Sequence, residues 1–277
     1  MLLHGAAGSW KTPLTLNFIK CILSGMPFGD LLTEYASPIL YIEIDMPDTL
    51  FHIRWKNIGM RGWGDNLIVA TVPCHLNITA PAADGRAGKT LRQLKDLHEE
   101  RQFKIVVIDS LRKIHPLPEN DSDTVAKVYG GLEDAFPGAT VILIHHDAKL
   151  RNPEEDKYRS DQSFRGNSAW ITDAAIGIKC STLNKKDGLV KMEHTKSHGG
   201  EQQPPLQITY DELGVCSMSK TNHADVAEVI RDLRRSGITK AGKIDTEVAH
   251  KLEISKRTAQ QRRLDIEQHY PHLLEDT

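Results

Sequence analysis

Four cysteines are spread over 277 residues, at Cys21, Cys74, Cys180 and Cys216, and no two have zinc-ligand or redox spacing. That excludes a disulfide framework and fits reduced thiols in a cytosolic protein. No apolar run approaches the roughly 18 residues that a membrane-spanning helix needs. Met1-Leu2-Leu3-His4-Gly5 lacks the basic and long apolar regions of a signal peptide. The expected location is the cytoplasm, with no membrane partner. Excess charge is also missing: 35 Lys and Arg against 37 Asp and Glu leave −2. A coat that holds nucleic acid by bulk charge is therefore excluded, and any such contact needs a local basic surface. Aromatics are only 6%, beside 39% apolar and 26% charged residues, which is a soluble globular composition rather than a disordered one. There is no internal repeat or low-complexity tract. The length suits one to two domains of about 150 residues.

Residues 1 to about 212 alternate strand and helix signals. Ile39-Leu40-Tyr41-Ile42-Glu43-Ile44, Val106-Val107-Ile108 and Val141-Ile142-Leu143-Ile144 are short apolar runs rich in β-branched residues, as expected of strands covered on both faces. Thr12 to Ser24 and Lys89 to Gln102 between them have helical apolar spacing. This alternation predicts an α/β fold with a mostly parallel central sheet. Cys180 to Tyr210 reads instead as antiparallel strands, with turns at Lys186-Asp187-Gly188 and His198-Gly199-Gly200. Residues 213–223 are expected to be a linker, and 224–277 a small all-α domain.

Gly5-Ala6-Ala7-Gly8-Ser9-Trp10-Lys11-Thr12 follows a short apolar start and opens an amphipathic helix. In that context a Gly-rich loop turns backbone N–H groups and a helix N-terminus toward phosphates. Lys11 would neutralise the outer phosphates of ATP and Thr12 would ligate Mg²⁺. Trp10 stands where the Walker A pattern has its second glycine; the competing reading is a Gly-rich turn capping a helix. Only Met1 to His4 precede the loop, so the first strand is expected to be short or truncated.

Lys104-Ile105-Val106-Val107-Ile108-Asp109-Ser110 has the Walker B form, an apolar strand ending in the carboxylate that holds the Mg²⁺ water shell. In Ile42-Glu43-Ile44-Asp45-Met46-Pro47, Glu43 and Asp45 would leave the same strand face, and Pro47 would place Asp45 at the strand's carboxyl end. Ligands of open α/β sheets bind at that edge, where a carboxylate could orient or deprotonate an attacking water. The bland alternative is an Asp capping a turn. His145 and His146 end a further strand at the same edge, and either could sense the γ-phosphate. Core or turn histidine is the alternative for both.

Near the C-terminus, a short helix over 246–252 and a second from Lys256 read as a helix-turn-helix, with Ile254 plugging the turn and Ser255 capping the second helix. Lys256, Arg257, Arg262 and Arg263 would give that helix a basic face for duplex phosphates and the major groove. A helical bundle for protein contacts is the alternative.

With these segments in order, the chain resembles the RecA-like AAA_25 family of P-loop ATPases, whose best-known kind of member is the hexameric plasmid helicase RepA; DnaB-type helicases are a more distant likeness. Phe164-Arg165-Gly166-Asn167-Ser168-Ala169-Trp170 and His145-His146-Asp147-Ala148-Lys149 complete the match, which covers about residues 1–210. The resemblance implies Lys11, Thr12 and Asp109 at the nucleotide and Mg²⁺. Asp45 falls where the family usually has a catalytic Glu, with Glu43 as its substitute. His146 or His145 falls at the sensor position. Arg165 would be an arginine finger to a neighbouring subunit, and Lys196 part of a second such element, with His198 in place of its Arg. A surface salt bridge and a solvated hairpin charge are the respective alternatives. Two loops would face a central channel, about 111–124 and 149–166. The second carries Lys149, Arg151, Lys157, Arg159 and Arg165 among Tyr158 and Phe164, which suits single-stranded DNA. Glu154, Glu155, Asp156 and Asp161 nearly cancel that charge, so a solvated loop is the alternative. The expected function is a DNA helicase or translocase of plasmid, phage or mobile-element DNA, a homo-oligomer and most readily a hexamer. An ATP-regulated DNA-binding repressor or loader is the rival, and an assembly factor that binds ATP without turnover is a third class.

Overall fold

Apolar side chains alternate along each inner strand between two cores, one on either face of a single sheet. The computed structural model describes residues 1–277 apart from 27, 29–32, 73–74, 81–84, 148–166, 187, 201–204, 219–222, 253–255, 270–273 and 275–277. The chain divides into two units, Met1–Met218 and Ser219–Thr277.

In the first unit the strands are β1 (Leu2–Gly5), β2 (Ile39–Glu43), β3 (Leu67–Thr71), β4 (Ile105–Asp109), β5 (Thr140–His146), β6 (Ile176–Asn184), β7 (Leu189–Ser197), β8 (Leu206–Tyr210) and β9 (Cys216–Met218). They form one nine-stranded sheet in the order β3-β2-β4-β5-β1-β6-β7-β8-β9. Pairing is parallel from β3 through β6 and antiparallel from β6 to β9. Among the described residues the α-helices of this unit are α1 (Lys11–Ser24), α2 (Asp48–Ile58), α3 (Arg86–Arg101), α4 (Ser122–Ala135) and the short α5 (Ala169–Thr172). Leu40, Ile42, Val106 and Ile108 point to the core shared with Leu91 and Leu94 of α3 and Val125, Val128 and Leu132 of α4. Ile39, Tyr41, Ile105 and Val107 point to the other, shared with Leu14, Leu16 and Ile19 of α1 and Phe51 of α2. Burying each such side chain contributes about 1.5–3 kcal/mol, which is why the runs read as continuously apolar.

The short β1 is held on both sides: Leu2 pairs with Leu143 of β5 and Gly177 of β6. The strand ends of β1, β2, β4 and β5 therefore open on one edge. One expectation needs correcting at the end of this unit. Asp211 accepts the N–H groups of Leu213 and Val215, each at 2.9 Å, and turns the chain. Cys216 then pairs with Tyr210. The stretch expected to be a linker from 213 thus contains a sheet strand.

The second unit is described by itself as α6 (His223–Arg235), α7 (Ala241–Lys251) and α8 (Lys256–His269). Val226, Ile230 and Leu233 of α6, Ile244 and Val248 of α7, and Ala259 and Ile266 of α8 make its core. The sequence places four basic residues of α8 on one binding face; the structure does not. Lys256 and Arg257 are exposed, whereas Arg262 and Arg263 are buried. Arg263 grips Asp245 through Nε at 2.7 Å and Glu267 through Nη1 at 2.7 Å, and Arg234 joins Glu267 at 2.8 Å. A guanidinium satisfied by two internal carboxylates serves the bundle rather than a phosphate. Among the described residues no helix is long and apolar enough to cross a membrane.

Arg263→Ala would leave Asp245, itself buried, without its partner. Breaking a buried pair in this way costs about 3–5 kcal/mol, a large share of the stability of so small a unit. Hydrogen exchange on the full chain should show protection lost in α6–α8 and kept in β1–β5. Unchanged protection of α8 would refute the structural role of this pair.

Candidate functional site

The phosphate loop runs from the end of β1 into α1, and its shape depends on two glycines. Gly5 has φ +156°, and a Cβ there would lie 2.3 Å from the Cys180 carbonyl oxygen on β6. Gly8 has φ +78° and open space around it. Ala6, Ala7 and Gly8 form an exposed crown, while Ser9 beneath them is buried. Trp10 caps α1 in the left-handed region at φ 64° and ψ 20°. That conformation costs a non-glycine residue about 1–2 kcal/mol. The indole stacks on Tyr210 of β8, with ring centroids 4.8 Å apart and planes 9° from parallel. Such a stack contributes about 0.5–1.5 kcal/mol beyond its buried area, which offsets a large part of the strain.

Lys11 is buried at the start of α1. Its Nζ donates to the carbonyls of Gly5 at 2.7 Å and Ala6 at 2.8 Å and to Ser9 Oγ at 3.3 Å, so it lies inside the curve of the loop. Burial pulls its pKa down, opposed by the nearby carboxyl groups of Asp147, Asp109 and Asp45. Next to it, Thr12 donates its hydroxyl proton to Asp109 Oδ2 at 2.6 Å, and Tyr41 donates to the same oxygen at 3.1 Å. Burial raises the Asp109 pKa, and these two donors oppose the rise. A hydroxyl and a carboxylate that converge beside a buried lysine are hard oxygen donors of the kind that hold Mg²⁺ on a nucleotide. Thr12 and Asp109 thus fit the cation expected of them.

Glu43 and Asp45 turn out to be unequal. β2 ends at Glu43, which is 1% exposed, and Asp45 lies two residues beyond the strand with its side chain 39% exposed. Glu43 Oε1 accepts the backbone N–H of Asp45 at 2.8 Å and of Met46 at 2.7 Å, shaping the turn that carries Asp45. Burial first, and then the charge of Asp109, push its pKa up to about 8. Buried and holding two backbone N–H groups on one oxygen, Glu43 shapes the turn that carries Asp45. Asp45 Oδ2 instead receives His146 Nε2 at 3.3 Å, and this hydrogen bond lowers the Asp45 pKa against the effect of burial. Strand alternation decides between the histidines: His146 faces Asp45, while His145 is buried, 6.4 Å from the Trp170 ring centroid. Sequence reasoning missed a further pair, His4 Nδ1 and Asp147 Oδ1 at 2.8 Å, buried at the end of β1.

A family model described as an AAA domain, AAA_25, matches residues 1–152, which include every one of these groups except Tyr210, Cys180 and Trp170. The chain belongs to the AAA_25 family. Its fold is also similar to that of a solved DnaB-like replicative helicase, a structure that describes the helicase and its interactions with primase. The TM-score is 0.53 at 13% identity, over 78% of this chain and 56% of that one. The AAA_25 chain thus spans little more than half the length of that helicase, and the likeness is one of fold.

Of the remaining expected residues of this AAA_25 protein, Lys196 lies apart from the cluster. Lys196 on β7 donates through Nζ to the Thr172 carbonyl at the end of α5. Lys149, Arg151, Lys157, Arg159 and Arg165, with Tyr158 and Phe164, lie outside the described residues. Immediately after that segment, Asn167 N and Trp170 Nε1 both donate to the Glu119 carbonyl, at 2.9 and 3.1 Å. The segment after residue 166 is thereby fastened to the loop that follows β4.

The Glu43 carboxyl gives a pH prediction for the nucleotide-free protein. Its folded pKa, about 8, stands above the unfolded 4.5. Its contribution to stability is therefore complete below about pH 4.5 and is lost as pH rises through about 8. Glu43→Gln, neutral throughout, should flatten that part of the fall in urea midpoint. An unaltered pH slope in Glu43→Gln would show that this carboxyl does not carry the proton.

Proposed function

We propose that this AAA_25 protein is an ATP-driven DNA helicase or translocase of the RepA-like type, acting in the replication or processing of plasmid, phage or mobile-element DNA. The observation that carries the reading is the convergence of Lys11, Thr12 and Asp109 with the Asp45–His146 pair at one edge of a parallel sheet. Bound Mg²⁺-ATP supplies the γ-phosphoryl group for transfer to water. Lys11 would exchange the carbonyls of Gly5 and Ala6 for phosphate oxygens, while Thr12 and Asp109 hold the cation. Asp45, kept ionised by His146, is suited to orienting the attacking water more than to deprotonating it, since its pKa is lowered. Arg165, and with it Lys196, would reach the nucleotide of a neighbouring copy in a ring, a hexamer by the fold likeness. The basic residues of 149–165 would grip single-stranded DNA, and Lys256 and Arg257 would touch duplex DNA.

Lys11→Ala should abolish Mg²⁺-dependent turnover, because the buried cation beside the outer phosphates is gone. If Arg165 acts across a subunit boundary, mixing Arg165→Ala with Lys11→Ala subunits should restore part of the activity. Arginine fingers contribute about 10³–10⁵ in rate where they act. Wild-type hydrolysis by Lys11→Ala would sink the phosphate-loop assignment, and mixed oligomers with no rescue at any ratio would sink the finger.

Unwinding of a forked duplex separates the helicase from its rival. Wild-type protein should unwind it with ATP. Lys256→Ala with Arg257→Ala should weaken duplex binding and lower the salt slope by about 0.9 for each lost phosphate contact. ATP hydrolysis without unwinding of any fork would replace the helicase by an ATP-regulated DNA-binding protein.

A further inference from the structure

Trp10 occupies the loop position that leads directly into α1, as its N-cap. It directly precedes Lys11, and its own carbonyl accepts the N–H of Leu14 at 2.9 Å in the first turn of α1. Its left-handed φ of 64° is ordinarily left to glycine. Glycine would reach that conformation without strain, but would reach others as readily. The indole removes that freedom by lying flat on Tyr210.

Tyr210 is a fixed surface. Its ring is buried at 4% exposure, and its N–H donates to the Gly188 carbonyl at 3.0 Å. Gly188 approaches so closely that a Cβ there would lie 2.3 Å from the Tyr210 carbonyl oxygen. Among the described residues the Tyr210 hydroxyl makes no hydrogen bond, so what it offers Trp10 is the face of its ring. The brace comes from the antiparallel end of the sheet, three strands away from β1.

We propose that Trp10 is a positioning residue for nucleotide binding: stacked on Tyr210, it locks the phosphate loop in the curved form that presents Lys11 and the α1 N-terminus to phosphate. The proposal rests on the phosphate-loop reading and adds to it a residue that acts through its neighbours. Trp10→Ala keeps the unfavourable conformation and loses the clamp, so the loop relaxes and carries Lys11 with it. Trp10→Gly keeps access to the conformation but not the restriction, and its effect should be smaller. Trp10→Phe keeps a ring against Tyr210 and should recover most of the loss.

The test is titration of the full chain with a non-hydrolysable ATP analogue and Mg²⁺ by calorimetry, with steady-state ATPase assays and thermal melting alongside. Trp10→Ala should weaken analogue binding about tenfold and raise KM by a similar factor. It should change kcat less, because the groups around the transferred phosphoryl remain. Trp10 is half-buried, so this variant should melt close to wild type. Tyr210→Ala should weaken binding to the same degree, and the double variant Trp10→Ala/Tyr210→Ala should be little worse than either, as for two halves of one contact. Wild-type affinity in Trp10→Ala, or additive losses in the double variant, would overturn the proposal. Wild-type protein that binds no analogue would instead overturn the phosphate-loop reading beneath it.

Discussion

The hydrogen bond that the Thr12 hydroxyl donates to Asp109, 2.6 Å long, joins the first turn of α1 to the end of β4. Around it the site solves the problem of two buried carboxyls on neighbouring strands. Asp109 and Glu43 are register partners across the β4–β2 pair. Two anions so close in a buried place repel, and burial costs each its hydration. Asp109 gathers side-chain donors, Thr12 and Tyr41. Glu43 keeps a proton and takes backbone N–H groups. The carboxylate proposed to hold a cation and the carboxyl that shapes a turn are told apart by their donors, since both are acids at strand ends.

That difference separates what the residues reveal in order from what they do not. Gly5, Gly8, Lys11 and Thr12 are legible because a loop wrapped on its own backbone needs them at fixed short spacing. Asp109 is legible because its strand is apolar up to it. The β runs announce themselves because both faces are covered. The fate of Glu43 depends instead on where β2 stops, two residues before the expected end, and on a neighbour 66 positions away. Arg262 and Arg263 look like a binding face because a run of basic residues carries no sign of its partners. Asp245 lies on another helix, and only packing brings it to Arg263. Cys216–Met218 was hidden for a similar reason, since its pairing rests on a turn built by the Asp211 side chain.

The two histidines of β5 show how strand geometry sorts identical residues. Neighbours on a strand face opposite ways. His146 emerges at the sheet edge beside Asp45, and His145 turns into the core toward Trp170. Trp170 is in turn fastened by its indole N–H to the carbonyl of Glu119 and receives on its own carbonyl the Tyr129 hydroxyl at 2.7 Å. His115, from the loop after β4, stacks on the same ring at 5.6 Å. One buried tryptophan therefore contacts the β5 strand, the loop after β4 and helix α4.

The two halves of the sheet divide the work accordingly. The parallel half supplies the groups that would meet phosphate in the proposed function, because parallel strands bring β1, β2, β4 and β5 to a common edge. The antiparallel half supplies rigidity to the loop between them. The Cys180 carbonyl of β6 leaves room only for a glycine at position 5, and Tyr210 of β8 provides the flat surface on which Trp10 rests. A loop supported this way needs glycine for close approach at Gly5 and for an exposed left-handed turn at Gly8, where no side chain could find a partner. At position 10 a partner exists. A strained residue with a ring to anchor can there do what a free one would do less selectively, and the departure from the glycine pattern follows from the strand that lies beside it.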